Sequence, residues 1–254
     1  MGERLYGKDH DRLDRVIIED EEQDMRLKVF TAFSGYDSQC MALERIKEAH
    51  KDFDYELVGW SEIDPNAIKL HDANFPEAKD RNYGDISKVE WDKVPAFDLF
   101  TCSFPCTDIS GAGQQAGLEE GSGTRSSLLW ECRRAIIAKR PKYILMENVK
   151  ALVQKKFLPY LKKWQKELED YGYENFTQVL NACDYGVPQN RERVFMVSIR
   201  KDVSFDYHFP DKVKLVKKLV DVLEDDVDDK YYLSDEAVAK YREKTNDREI
   251  KDII

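Results

Sequence analysis

Apolar and polar positions change period repeatedly along the first 200 residues. Residues 27–33, Leu-Lys-Val-Phe-Thr-Ala-Phe, are mostly apolar, which predicts a first strand, and residues 39–50 carry Met41, Ala42, Leu43 and Ile46 at helical spacing. Residues 55–63 read as a second strand. Asp64 and Pro65 then open a helix to about Asn74, the aspartate as N-cap and the proline at the first helical position. Residues 81–86 suggest a short strand and turn, and 97–102 a buried strand. A helix follows at 126–139 with Leu128, Leu129, Cys132, Ala135 and Ile136 on its apolar side. Residues 143–147 read as a strand, 158–171 as an amphipathic helix stopped near Gly172, and 173–182 and 194–199 as two further strands. Beyond Arg200 the pattern fades: 213–229 is Lys-rich and then acid-rich, and 231–254 holds at most one short helix. Strands alternating with helices predict an α/β fold, its mostly parallel sheet carrying helices on both faces.

Composition narrows this picture. The chain has 254 residues, 42% hydrophobic and 35% charged, enough for one large α/β domain or a domain with an appendage. The formal net charge of −10 argues against a broadly basic surface, so any nucleic-acid contact rests on a local patch or on a partner. No apolar run approaches the roughly 20 residues of a membrane span, and residues 1–22 lack the apolar centre of a signal peptide. Five cysteines, an odd number without scaffold spacing, and four scattered histidines suggest neither disulfides nor a metal cluster, and a cytoplasmic protein is expected.

Candidate chemistry gathers at the strand ends. The strand at 97–102 stops at Ser103-Phe104-Pro105-Cys106, ahead of a polar, Gly-rich stretch running to Gly123. Pro105 fixes its own φ and biases Phe104 to an extended shape, so Cys106 stands on stiff backbone at the edge where open α/β sheets bind ligands. A nucleophilic thiolate needs such delivery, although a plain buried cysteine after a strand gives the same pattern. Phe33-Ser34-Gly35-Tyr36-Asp37-Ser38 is a strand-to-helix turn, fit for close approach of a cofactor, although taken alone it is more often an ordinary turn. It lacks Gly-x-Gly-x-x-Gly, which disfavours a dinucleotide phosphate cradle and with it a nicotinamide-dependent oxidoreductase.

The second strand ends in Glu62-Ile63-Asp64. Asp64 caps the next helix, and Glu62 can hydrogen-bond ribose hydroxyls. In Gly84-Asp85-Ile86, Asp85 can accept from an adenine amino group while Ile86 packs on the ring. Turn, acid and acid together suit an adenosine without a polyphosphate. Glu147-Asn148-Val149 closes an apolar strand, where desolvation raises a carboxyl pKa and suits a proton donor; a surface acid is the other reading. In Gln189-x-Arg191-x-Arg193, alternate residues share one side of an extended segment. Both guanidiniums can then reach one anionic or carbonyl-bearing group, or form a solvated charge cluster.

In this order the segments resemble the DNA cytosine-5 methyltransferase family, over roughly residues 27–200. Phe33-Ser34-Gly35 is similar to the first cofactor motif, with Asp37-Ser38 in place of the usual second glycine pair. Glu62-Ile63-Asp64-Pro65 is similar to the second motif and Gly84-Asp85-Ile86 to the third. Phe104-Pro105-Cys106 looks like the nucleophile motif, Glu147-Asn148-Val149 the glutamate motif, and the run from Tyr185 to Phe195 the Gln-x-Arg-x-Arg segment.

The resemblance implies a Rossmann-like S-adenosylmethionine-dependent methyltransferase fold, S-adenosylmethionine as cofactor, no metal, and double-stranded DNA with a flipped cytosine as substrate. Cys106, Glu147, Arg193 and Arg191 would be catalytic. Phe33, Ser34, Gly35, Tyr36, Asp37 and Ser38 would line the cofactor from the first turn, with Glu62, Ile63, Asp85, Ile86 and Pro105 beyond it. Ser103, Phe104, Ser110, Asn148, Val149 and Gln189 would meet the substrate.

It also implies a division into a charged leader (1–26), a catalytic domain (27–210) and an acidic C-terminal segment (211–254). Family members usually carry a target-recognition domain after the Gln-x-Arg-x-Arg segment and a Gly-Asn motif beyond it, and no Gly-Asn pair occurs in this sequence. The expectation is therefore a catalytic portion of a restriction-modification, phage or bacterial modification enzyme, its recognition region lying on a second subunit or in a longer chain of which this is a fragment. Alone it is expected to bind cofactor weakly and methylate DNA poorly or not at all. A silent assembly subunit, and RNA as substrate, are the alternatives.

Overall fold

Six strands alternate with the first four helices in a computed structural model that describes residues 26–109 and 118–244. The strands are β1 (Leu27–Ala32), β2 (Tyr55–Ser61), β3 (Leu99–Cys102), β4 (Tyr143–Val149), β5 (Tyr173–Asn181) and β6 (Glu192–Arg200). The helices are α1 (Ser38–Ala49), α2 (Pro65–Asn74), α3 (Leu129–Lys139), α4 (Leu158–Asp170) and α5 (Asp235–Lys244). The strands form one sheet in the order β2-β1-β3-β4-β6-β5. The first four run parallel, while β6 lies antiparallel between β4 and β5. Ser110 and the leader up to residue 25 lie outside the described residues.

The predicted strand at 81–86 is replaced by two 3-10 turns, Pro76–Arg81 and Ile86–Lys88, with a single bridge from Asn82 to Trp60 between them. A side chain takes over the work of a ladder there. Asn82 Oδ1 accepts from the N–H groups of Glu62 and Gly84, and its Nδ2 donates to the Glu62 carbonyl. This side-chain pairing docks the segment on the end of β2 without extending the sheet.

Strand alternation covers both sheet faces. Phe30 and Ala32 of β1 enter the larger apolar cluster with Trp130, Cys132 and Ile136 of α3 and Leu161, Trp164 and Leu168 of α4. Val29 turns the other way, joining Cys40 of α1, Leu57 and Trp60 of β2, and Phe75 just past α2. Each fully buried Val, Leu, Ile or Phe side chain among them contributes about 1.5–3 kcal/mol. Among the described residues no helix is long and apolar enough to cross a membrane. The C-terminal segment up to 242 is mostly exposed, Val216, Leu223, Tyr231 and Tyr232 included.

Strand order reverses at β1, with β2 on one side and β3 on the other, so a crevice opens at their carboxyl ends. Ala32 pairs with Ser61 and Cys102, and Cys102 pairs with Met146. The next residue on each of these four strands is Glu62, Phe33, Ser103 and Glu147. Residues far apart in sequence thus stand side by side along one rim.

The β1–β2 register skips Val58 between the Val29 and Phe30 pairings. At the bulge, Gly59 faces the Phe30 and Tyr83 rings so closely that an added Cβ would lie 2.8 Å from both. Gly59→Ala is expected to lower the unfolding free energy by about 1–3 kcal/mol, read from the urea midpoint at unchanged slope.

Candidate active site

Antiparallel pairing of β6 with β4 brings the predicted acid and arginines together. Glu147 pairs with Phe195 and Val149 with Arg193, so Glu147 and Arg193 are diagonal neighbours on one face. Arg193 Nε lies 3.1 Å from Glu147 Oε1, and the Glu147 side chain is 23% exposed. Burial pushes the Glu147 carboxyl above its ordinary range; the Arg193 and Arg191 guanidiniums and the Ser103 hydroxyl draw it partly back. Beyond Arg193 a cavity of about 470 Å³ is lined by Val149, Lys150, Gln189 and Arg191 among others. Gln189 and Arg191 are exposed there.

The backbone leading to Cys106 is pinned from β4. Asn148 Nδ2 donates to the Phe104 carbonyl at 2.9 Å, and Asn148 Oδ1 accepts from Val149 N–H. Cys106 is half-buried against the larger cluster, and its carbonyl accepts from Ile109 N–H. Asn148 and Phe104, expected to meet a substrate, are 2% exposed. They hold the loop, with the Phe104 ring in the core. Ser103 stays half-buried at the rim, and its hydroxyl accepts from Gln39 Nε2 at 2.8 Å.

At the switch point the turn after β1 holds three positive φ angles, at Phe33 (56°), Gly35 (58°) and Asp37 (63°). Glu62 binds it from the neighbouring strand, Oε2 accepting from Gly35 N–H at 3.0 Å while Oε1 accepts from the N–H groups of Ile63 and Asp64. Ser34 is buried and its hydroxyl has no partner, and the space over Gly35 is open. Tyr36, Ser38 and Ile63 are exposed, and Phe33 is half-buried.

Two expected cofactor contacts turn inward, and a third is engaged locally through one of its oxygens. Asp37 is fully buried: it caps α1 through Cys40 N–H, accepts from the Thr31 hydroxyl at 2.7 Å and lies 3.4 Å from His71 Nε2. Ile86 is 3% exposed in the core. Asp85 Oδ1 accepts from the hydroxyl and N–H of Ser87, and these bonds hold its carboxyl below the usual range. Asp64 caps α2 as read, accepting from Asn66 and Ala67 N–H.

Sequence reasoning missed the supports: Gln39 on Ser103, Asn82 on Glu62, and Ser126 with Asp108 beside Cys106. The polar run Thr124–Ser127 across the start of the predicted helix was the available signal for Ser126. No cluster of three or more metal-ligating side chains occurs among the described residues.

A sequence model described as C-5 cytosine-specific DNA methylase matches residues 27–254. The chain is 38% identical to the type II methyltransferase M2.ScrFI of Lactococcus lactis subsp. cremoris, over 84% of this chain and 72% of that protein. It is 31% identical to the orphan methyltransferase M.Rho11sI of Bacillus phage rho11s, over 90% of this chain but only 50% of the phage protein. Among solved structures, the S. pombe Dnmt2 methyltransferase is similar in fold, with a TM-score of 0.64 at 20% identity over 86% of this chain and 66% of that one.

The raised carboxyl of Glu147 has a sign in stability. Between its ordinary and raised values the folded chain holds more protons than the unfolded one, so this group's contribution declines as pH rises through that window. Glu147→Gln is expected to remove that decline. The difference between wild-type and variant thermal midpoints, followed upward from about pH 4, should shift in the variant's favour and then level off.

Proposed function

Because the chain belongs to the C-5 cytosine-specific DNA methylase family, we propose that it transfers a methyl group from S-adenosylmethionine to carbon 5 of cytosine in DNA through a covalent bond to Cys106. The observation that carries this reading is the rim where Glu147, Arg193 and the Cys106 loop meet: Arg193 3.1 Å from Glu147, and Asn148 on the Phe104 carbonyl.

The turn after β1 fits the cofactor. Ser34 Oγ is a buried hydroxyl lacking a partner, open space lies over Gly35, and Glu62 Oε2 accepts a single N–H and can take a ribose hydroxyl as well. S-adenosylmethionine, when bound, supplies an electrophilic methyl group on a sulfonium.

Carbon 5 of cytosine is a poor nucleophile. The Cys106 thiolate forms a bond to carbon 6, and the displaced π electrons run through the ring to nitrogen 3, where Glu147 delivers its proton. Burial of Glu147 favours the form that holds this proton. Arg193 orients the carboxyl and binds the base carbonyl. Carbon 5, now enamine-like, is the atom that would accept the cofactor's methyl group, the S–CH3 electron pair staying on sulfur to leave a neutral thioether. A base then removes the carbon 5 proton, the thiolate leaves carbon 6, and the nitrogen 3 proton returns to Glu147. The base reaches Cys106 only outside the stack, at a cost of about a few kcal/mol.

Sequence recognition we assign to residues outside the methyl-transfer rim, with a second subunit as one source of them. The chain spans 72% of one relative and 50% of the other, and the residues after β6 are mostly exposed. The relatives' names, type II and orphan phage methyltransferases, support a role in a bacterial or phage modification system.

The test is trapping on double-stranded DNA containing 5-fluorocytosine, with labelled S-adenosylmethionine. Fluorine blocks removal of the carbon 5 substituent, so even slow, poorly directed turnover accumulates as product: over a long incubation at high DNA concentration the chain should carry a low yield of denaturation-resistant DNA adduct that Cys106→Ser abolishes. An adduct that survives in Cys106→Ser overturns the mechanism. Cofactor binding without any adduct would make the chain a silent subunit.

A further inference from the structure

The ladder of β3 ends at Cys102, and Pro105 has no N–H to give, so sheet pairing does not locate residues 103–109. One buried side chain brackets the thiol instead. Ser126 is fully buried, and its hydroxyl donates to the Pro105 carbonyl at 2.7 Å. The same oxygen accepts from Asp108 N–H at 3.3 Å, while Asp108 Oδ2 accepts from Ser126 N–H at 3.0 Å. The residues immediately before and two after Cys106 are thereby tied to a single serine. That serine sits in the turn Arg125–Leu128, capped by Thr124, which leads directly into α3 of the core.

We propose that Asp108 and Ser126 are positioning residues that set where the Cys106 thiol stands, a step that rests on the methyl-transfer reading. Ser126 transmits the location of α3 to Pro105, and Asp108 closes the bracket from the other side. Neither touches a base in this role. Their effect is on the angle and depth at which the sulfur is offered, where displacement of about 1 Å costs on the order of a hundredfold in rate.

Cysteine alkylation tests this without DNA or cofactor. Cys106 and Cys183 are both half-buried, whereas Cys40, Cys102 and Cys132 are fully buried. Iodoacetamide labelling, followed peptide by peptide by mass spectrometry, reports the Cys106 rate against Cys183, with the three buried thiols as a check on the core.

Ser126→Ala and Asp108→Ala are each expected to change the Cys106 to Cys183 ratio by about threefold or more with the core cysteines still protected, and Ser126→Thr, which keeps the hydroxyl, to restore it. A ratio unmoved in both alanine variants overturns the proposal. If one variant exposes the core cysteines, the other decides; if both do, the pair holds the fold rather than the thiol and the proposal fails. Loss of the DNA adduct in wild type alongside the expected labelling changes would sink the methyl-transfer reading alone.

Discussion

Taking a carboxylate out of water is costly, and the rim of this sheet is arranged around how Glu147 meets that cost. Its side chain keeps less than a quarter of its exposure, which favours the protonated form. Arg193 at 3.1 Å opposes this and holds the carboxyl in one orientation. The balance leaves an acid that can hold a proton yet does not wander. It depends on β6 running against β4: antiparallel pairing lets the first residues of one strand meet the last of the other, whereas a parallel neighbour would set Arg193 at the opposite edge.

The strand and helix periods were legible because most of these elements bury one face or two. Largely apolar runs marked β1 and β3, and Asp64-Pro65 marked the start of α2. The segment at 81–86 misled because Asn82 supplies through its side chain the hydrogen bonds a ladder would have given. Strand β4 runs past its predicted end at Glu147 because β6 goes on pairing to Val149, a long-range event with no local mark.

The candidate site was legible as a set of motifs, less so as a set of contacts. The family resemblance counts Asp37 among the cofactor contacts. Its left-handed backbone instead points the carboxylate inward, to cap α1 and meet Thr31 and His71, and the His71 ring stacks 3.6 Å from Trp60. The first turn therefore stands on a buried polar network, which explains how three positive φ angles persist within five residues. Phe104 and Asn148 show the same division: the motif was recognised, while its middle members serve the scaffold.

The β4–β6 pairing carries one more consequence. A strand shows its side chains alternately to its two faces, so a slip of β6 by a single residue would carry Arg193 through the sheet, away from Glu147. The ion pair exists in one alignment alone. A chain folded with these strands misaligned would leave the half-buried Glu147 carboxyl without its guanidinium, so the same pairing that builds the rim also penalises the errant alignment.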